Sequence, residues 1–290
     1  MPIPMNTICV ECFLSKRLAM ARRLGTDEQA TEIGKKLMEL YVQSPPDMDS
    51  ALLGGICDQL MNEYYGLESD QMRREKELSN RFVLDRLEAI RSRIQRENDP
   101  IYAALQFAVL GNYLDFSALY GQVRFEELEA MLDSAAGIDL DGDCYRQFIR
   151  DLEKGKRLLY ITDNAGEICF DRLLAEEIHS AYPQLEITFC VRGGPVSNDA
   201  TREDALVAGI PFPVIDNGTA IGGTAISRVN RETKDALKNA DVILAKGMGN
   251  TESMFGCGYR VYYAFLVKCE RFMQFFNAPK MKPMFIRDKQ

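Results

Sequence analysis

Arg157-Leu-Leu-Tyr-Ile-Thr-Asp163-Asn-Ala-Gly-Glu167 decides the fold. Residues 157–162 form an almost continuous apolar run, which breaks at Asp163-Asn-Ala-Gly and gives way to a helical pattern. A strand apolar on both faces that hands over to a helix belongs to a parallel sheet covered on both sides. The alternation repeats outward. Residues 186–191 (EITFCV) and 240–245 (ADVILA) read as further strands, residues 212–215 as a short one and residues 284–287 as the last. The pattern predicts an α/β fold: a Rossmann-like three-layer α/β/α domain with a mostly parallel sheet over residues 151–290.

Residues 1–150 are expected to form an N-terminal all-helical subdomain. Residues 26–42 open on Thr-Asp-Glu, a helix start, and place Ile33, Leu37, Leu40 and Tyr41 at helical spacing. Ser44-Pro-Pro-Asp-Met ends that helix and begins the next, through Leu52, Ile56, Leu60 and Tyr64. Residues 69–96 read as one long charged helix with Phe82, Leu84, Leu87, Ile90 and Ile94 as its buried stripe and a solvated charged face. Asn98-Asp-Pro is a break, after which residues 101–110 start another helix.

Composition narrows the chemistry. The chain has 290 residues, enough for about two domains at roughly 150 each, and is 46% apolar and 27% charged. A single histidine excludes H-E-x-x-H helices, His-rich zinc sites and paired-His chemistry. That residue, His179, falls near the polar side of a helical stretch over 171–182 and reads as a surface histidine. Chemistry is therefore left to carboxylates, amides, lysines or cysteines. The net charge of −8 argues against nucleic acid or an anionic membrane as partner. Residues 1–8 carry no basic n-region, and no apolar run approaches the ~20 residues that span a bilayer. Eight cysteines without regular close spacing read as reduced thiols, so a cytoplasmic location is expected.

In parallel sheets functional groups gather beyond the C-terminal ends of the strands. The first strand ends in Asp163-Asn164-Ala-Gly-Glu167, the second in Gly193-Gly-Pro-Val-Ser-Asn198-Asp199-Ala-Thr201, and residues 240–245 in Lys246-Gly247-Met-Gly249-Asn250-Thr-Glu252. Asp and Asn oxygens without His or thiolate suit a hard cation such as Mg²⁺ or Mn²⁺. A lysine and glycine-exposed backbone N–H groups suit an anion, most simply phosphate. Metal, phosphate cradle and spare carboxylates together specify phosphoryl chemistry better than hydride or acyl transfer.

The strings Asp163-Asn-Ala-Gly-Glu167-Ile-Cys-Phe-Asp171, Asn198-Asp-Ala-Thr201 and Lys246-Gly-Met-Gly-Asn250 resemble the DUF89 family of metal-dependent damage-control phosphatases. The resemblance is to its small prokaryotic branch with an N-terminal Cys-x-x-Cys, here Cys9-Val-Glu-Cys12. It extends to Asp99-Pro, to Leu110-Gly-Asn112-Tyr-Leu-Asp115-Phe, and to Phe265-Leu-Val-Lys268-Cys-Glu, which resembles the family's late lysine-bearing helix. The resemblance implies a divalent metal (Mn, Ni, Co or Mg) on Asp163, Asn164 and Asp199. It implies substrate contacts on Lys246, Gly247, Gly249, Asn250 and Lys268, with Asn112 and Asp115 facing the same cleft. Glu167 and Asn198, at the same strand ends, join the expected substrate contacts. The implied activity is hydrolysis of small phosphorylated metabolites, either sugar phosphates or phosphates of damaged cofactor precursors. Asp163, Asp199 and Lys246 are the expected catalytic groups: Asp163 as nucleophile unless water attacks, Asp199 orienting that water, and Lys246 offsetting phosphoryl charge. Two positions depart from the family pattern, Met248 where Gln is frequent and Thr251 where an aromatic is frequent; both bear on substrate preference.

Other signals are weaker. Asp139-Leu-Asp-Gly-Asp143 begins like a calcium loop but has Arg150 at its twelfth position, so it reads as a turn. Gly218-Thr-Ala-Ile-Gly-Gly-Thr224 lacks the Lys-Ser/Thr of a P-loop and reads as a cleft rim or a flexible loop. Cys9-x-x-Cys12 is one pair, not two, and falls short of a structural zinc site; unless Cys57 joins it in space, these read as buried or incidental thiols rather than a metal or redox site. Tyr259, Tyr262, Tyr263, Phe265, Phe272, Phe275 and Phe276 read as a helically spaced core. Two competing functions are a non-catalytic metal- or nucleotide-binding regulator and an S-adenosylmethionine-dependent methyltransferase. The Asp163/Asn164/Asp199 trio favours the phosphatase, because a pure nucleotide binder needs no open oxygen site.

Overall fold

The computed structural model describes residues 3–45, 48–66, 70–115 and 124–288. Its first helices are α1 Thr7–Leu24, α2 Asp27–Gln43, α3 Ser50–Tyr65, α4 Asp70–Leu84 and α5 Leu87–Ile94. Then come α6 Pro100–Gly111, α7 Phe125–Asp133 and α8 Gly142–Lys154. The sheet-bearing part follows as β1 Arg157–Ile161, α9 Glu167–Ala181, β2 Glu186–Val191, α10 Arg202–Val207 and β3 Val214–Asp216. It closes with α11 Arg231–Asn239, β4 Val242–Lys246, α12 Gly247–Met254, β5 Val261–Leu266, α13 Glu270–Phe276 and β6 Pro283–Arg287. The helix α8 runs through residue 150, so the sheet begins at Arg157.

The strand order is β3-β2-β1-β4-β5-β6. Strands β1 to β5 are parallel and β6 pairs antiparallel with β5. The expected mostly parallel α/β sheet is therefore present. Side chains alternate between two apolar layers, as the two-residue strand period requires. Leu158, Tyr160, Phe189, Leu244 and Tyr262 share a core with α5, α6, α8 and α9, so apolar packing crosses from the helical half onto the sheet. Leu159, Ile161, Ile243, Ala245, Tyr263 and Phe265 share the opposite core with Met248, Met254 and Phe272. Helices α1–α3 enclose a third small core of Phe13, Ile33, Leu37, Leu53, Cys57 and Met61. Its α3 packs on α12, and the Ile3 N–H donates to the Glu252 carbonyl at 2.9 Å.

Local chemistry explains the helix starts. Thr26 and Gln29 form the capping box expected of Thr-Asp-Glu, and Asp99 caps α6 ahead of Pro100. Nearly every residue of α6 is buried, which suits a helix apolar on all sides and wedged between α9, β5 and β6. Gly111 permits the closest approach, because a Cβ there would stand 2.6 Å from the Phe170 ring.

Three expectations change. Residues 69–96 form two helices, α4 and α5, broken at Asp85-Arg86, rather than one. The segment 261–266 is β5, a strand buried at every position, not helical core. A central parallel strand is apolar throughout and loses the two-residue alternation, so only its aromatic content distinguished it from a buried helix. Lys268 accordingly follows a strand. The short third strand lies at Val214–Asp216, shifted from 212–215. Ser69, Pro46-Asp47 and Phe116, each part of an expected segment, lie outside the described residues. Among the described residues no helix is long and apolar enough to cross a membrane.

Candidate active site

Strand order reverses between β1 and β4, which opens a crevice at their C-terminal ends. Asp163 and Asn164 follow β1, Gly247 follows β4, Asp199 lies on the loop after β2, and Lys268 follows β5. The first and second loops are stitched together: the Ala200 N–H donates to the Asp163 carbonyl at 2.7 Å and the Ala165 N–H to the Asn198 carbonyl at 2.8 Å. Asn164 and Asp199 face each other in an isolated antiparallel bridge. The three expected metal ligands are thus adjacent.

Their carboxylates are held by amides. The side-chain NH₂ of Asn112, the residue capping the C-terminus of α6, donates to Asp163 Oδ2 and to Glu167 Oε2, both at 3.0 Å. That of Asn164 donates to the same two oxygens at 2.8 and 2.7 Å. Asn112 Oδ1 accepts from the Leu266 N–H at 3.0 Å, which fixes the amide's orientation. With its NH₂ turned to the carboxylates, Asn164 directs Oδ1 away from them. Gly247 has φ +80°, and a Cβ there would overlap the Asp163 carboxylate, so glycine is required on both counts.

A residue absent from the sequence reading completes the centre. Arg192, fully buried at the end of β2, donates from Nε to Asp199 Oδ2 at 2.6 Å and from Nη2 to Asp163 Oδ1 at 3.5 Å. The available signal was an arginine directly after an apolar, doubly covered strand. A cation so placed must find acceptors inside.

Lys246 lies beneath the centre. Its ammonium is wholly buried and donates to Glu167 Oε1 at 2.8 Å, Asp171 Oδ1 at 2.6 Å and the Ala108 carbonyl at 2.8 Å. Three donors meeting three internal acceptors leave none for a phosphate. Lys246 therefore ties β4 to α9 and α6. Four expected substrate contacts are likewise buried with internal partners. Glu167 is held by Lys246 and the two amides. Asn250 donates to the carbonyls of Thr162 and Lys246 and accepts from Thr224 and Arg192. Asn198 donates to the Leu114 carbonyl, and Asn112 acts on Asp163 as described. The charged helix α4 also contributes unexpectedly: Asn80 is buried, accepts from the Gly166 N–H and donates to Asp204.

Burial dominates the electrostatics. It raises the Asp163 carboxyl well above its ordinary range, reinforced by Asp199 and Glu167 and opposed by Arg192. Asp199 is raised by burial against the pull of Arg192. Asp171 is pushed up to about 7, again by burial and against Lys246. The Lys246 ammonium is opposed by burial, but Asp171 and Glu167 more than offset it and raise its pKa. Four carboxyl groups (Asp163, Glu167, Asp171 and Asp199) share this interior with two cations, Arg192 and Lys246, so that with all four ionised the acids exceed the cations by two charges. Two carboxylates and an amide oxygen with that surplus suit one hard divalent cation that keeps several waters.

Lys268, whose side chain is also buried, donates to Asp115 at 2.7 Å. No side chain caps the N-terminus of α12, whose first residues are Gly247, Met248 and Gly249. Met248 turns its sulfur to the Lys268 N–H at 3.3 Å, and Thr251 is buried with its hydroxyl on the Gly247 carbonyl. The 218–224 loop is anchored: the Thr224 N–H donates to Ser253 Oγ at 2.8 Å, which fits the rim reading. His179 is exposed and touches Phe212, about 18 Å along α9 from Glu167 at 1.5 Å per residue. Asp141 caps α8. Among the described residues no group of three or more His, Cys, Asp or Glu side chains is arranged to hold a metal. Cys57 belongs to the α1–α3 core, and burial pushes its thiol up to about 11.

This switch-point crevice brings carboxylate and amide oxygens beside an uncapped helix N-terminus, a donor set that suits a hard cation and an anion together. The sequence matches the damage-control phosphatase ARMT1-like domain over residues 5–283, and the chain belongs to that family. Damage-control phosphatase PH1575 of Pyrococcus horikoshii is 34% identical over 190 residues, so the matched part spans 64% of this chain and 64% of that relative. A damage-control phosphatase of Archaeoglobus fulgidus is 31% identical over 276 residues, 91% of this chain and 92% of the relative. The uncharacterised protein MJ0202 of Methanocaldococcus jannaschii is 34% identical over 277 residues, 90% and 88% respectively. The fold matches the crystal structure of PH1575, described as a DUF89 family protein, with a TM-score of 0.82, 24% identity and 99% of both chains covered. The family indicated by the Asp163 and Lys246 strings is thus the family of this chain.

Proposed function

We propose that this protein is a metal-dependent phosphomonoester hydrolase acting on small phosphorylated metabolites, either sugar phosphates or phosphates of damaged cofactor precursors. One observation carries the reading: Asn164 and Asp199 pair in a bridge beside Asp163, in an interior where carboxyl groups outnumber cations by two. The relatives from Pyrococcus horikoshii and Archaeoglobus fulgidus, both named damage-control phosphatases, support it. Asp163, Asn164 and Asp199 would hold a divalent cation (Mn, Ni, Co or Mg), which would supply Lewis acidity towards a phosphoryl oxygen.

The protein's own groups do the rest. The α12 N-terminus offers backbone N–H groups to the anionic oxygens, with Gly247 letting the Asp163 carboxyl stand beside it and Gly249 letting the 217–224 loop pack behind it. Lys268, buried beside β5 and paired with Asp115, is the cation proposed to offset remaining phosphate charge. The attacking oxygen comes from Asp163 or from a water oriented by Asp199. Asn112 and Asn164 hold Asp163 Oδ2 and thereby set the direction of the other oxygen. The same reading puts the protein in the cytoplasm, with a phosphorylated small molecule as partner and neither nucleic acid nor membrane. A panel of phosphorylated metabolites and p-nitrophenyl phosphate, assayed with each of the four metals, tests it. Phosphate release with at least one metal is expected. No hydrolysis with any of them refutes the proposal and favours the non-catalytic regulator.

A further inference from the structure

We infer that Arg192 is a positioning residue that ties Asp199 to the 217–224 loop and to α12, so that the state of this frame sets the affinity of the carboxylate centre for a divalent cation. The inference rests on the proposed metal-dependent function.

The three guanidinium nitrogens of Arg192 reach four different elements. Nε donates to Asp199 Oδ2 at 2.6 Å, on the loop after β2. Nη2 lies 3.5 Å from Asp163 Oδ1, after β1. Nη1 lies 3.4 Å from Thr224 Oγ1, after β3, and 3.2 Å from Asn250 Oδ1, on α12. These neighbours are themselves fixed. Asn250 donates to the Thr162 and Lys246 carbonyls at 2.9 and 2.6 Å, and the Thr224 hydroxyl donates to Asn250 Oδ1 at 2.8 Å. Gly223 has φ +75°, and a Cβ there would overlap the Gly249 carbonyl oxygen, so the loop lies directly on α12. The guanidinium therefore holds one oxygen of Asp199 against a rigid frame and leaves the other for the cation. Loss of a partner that hydrogen-bonds a ligating carboxylate typically costs about 10- to 100-fold in metal affinity. Lysine retains the charge but has no planar fork, and cannot reach these acceptors in fixed directions.

The test is calorimetric titration of chelator-stripped protein with Mn²⁺, with the melting temperature of each metal-free protein measured alongside. Wild type is compared with Arg192→Lys and Thr224→Val, neither of which alters net charge or a proposed ligand. Arg192→Lys is expected to weaken Mn²⁺ binding by about 10- to 100-fold, and Thr224→Val by a smaller factor in the same direction. Wild-type binding with both variants within twofold of it overturns the inference, even if their melting temperatures fall, because a purely structural pillar changes stability alone. Should Arg192→Lys fail to fold, Thr224→Val decides by the same criterion. Wild type taking up no Mn²⁺ overturns this inference and the metal-dependent function together.

Discussion

Asp163→Ala is expected to abolish metal-stimulated phosphate release, a fall of roughly 10³-fold or more, while the protein stays folded. The loss follows from the ligand set, because Asp163 is one of only two carboxylates among the three proposed cation ligands. The retained fold follows from hydrogen bonding. Asn112 and Asn164 each share their NH₂ between Asp163 and Glu167, so both amides keep a carboxylate when Asp163 is gone. Burial already raises the Asp163 carboxyl well above its ordinary range, so its charge does not stabilise the metal-free protein. Circular dichroism and the melting temperature of the metal-free variant should therefore match wild type or improve on it. Full turnover by the variant would remove Asp163 from the chemistry.

Lys246→Met is expected to do the reverse, with stability as the first loss. The ammonium is fully buried between Glu167 and Asp171, and methionine keeps the length while removing the charge. Breaking one side of such a buried set leaves uncompensated carboxylates and costs about 3–5 kcal/mol. Denaturant titration should show that loss as a lower midpoint with little change in slope. A lysine serving phosphate directly would behave otherwise: the variant would melt normally and bind substrate poorly. That pattern would restore Lys246 as a substrate contact.

These two residues show what could be read in the chain. Asp163 stands where an unbroken apolar strand gives way to a helix, and strand ends in parallel sheets gather at one rim, so its place followed from local pattern alone. Lys246 stands at an equivalent strand end, yet its role depends on what lies beneath it. Glu167 and Asp171 are four apart on α9 and face the lysine together, a spacing present in the sequence whose target strand appears only in three dimensions. Arg192 was passed over because its four acceptors come from segments up to 58 residues away. Strand β5 was hidden for the opposite reason, since a run buried on both faces carries no period to read. Asn112 was placed at the cleft by family resemblance. Its geometry adds that Gly111 lets α6 approach α9 closely enough for the amide to reach Asp163.

The central claim is that one divalent cation in the Asp163/Asn164/Asp199 centre is what makes this protein a phosphatase. The most direct measurement adds Mn²⁺ stepwise to chelator-stripped protein while bound metal and p-nitrophenyl phosphate hydrolysis are followed together. Turnover should start at background, rise with occupancy and level off at one Mn²⁺ per chain. Undiminished hydrolysis by the stripped protein, or a filled site with no hydrolysis, would contradict it.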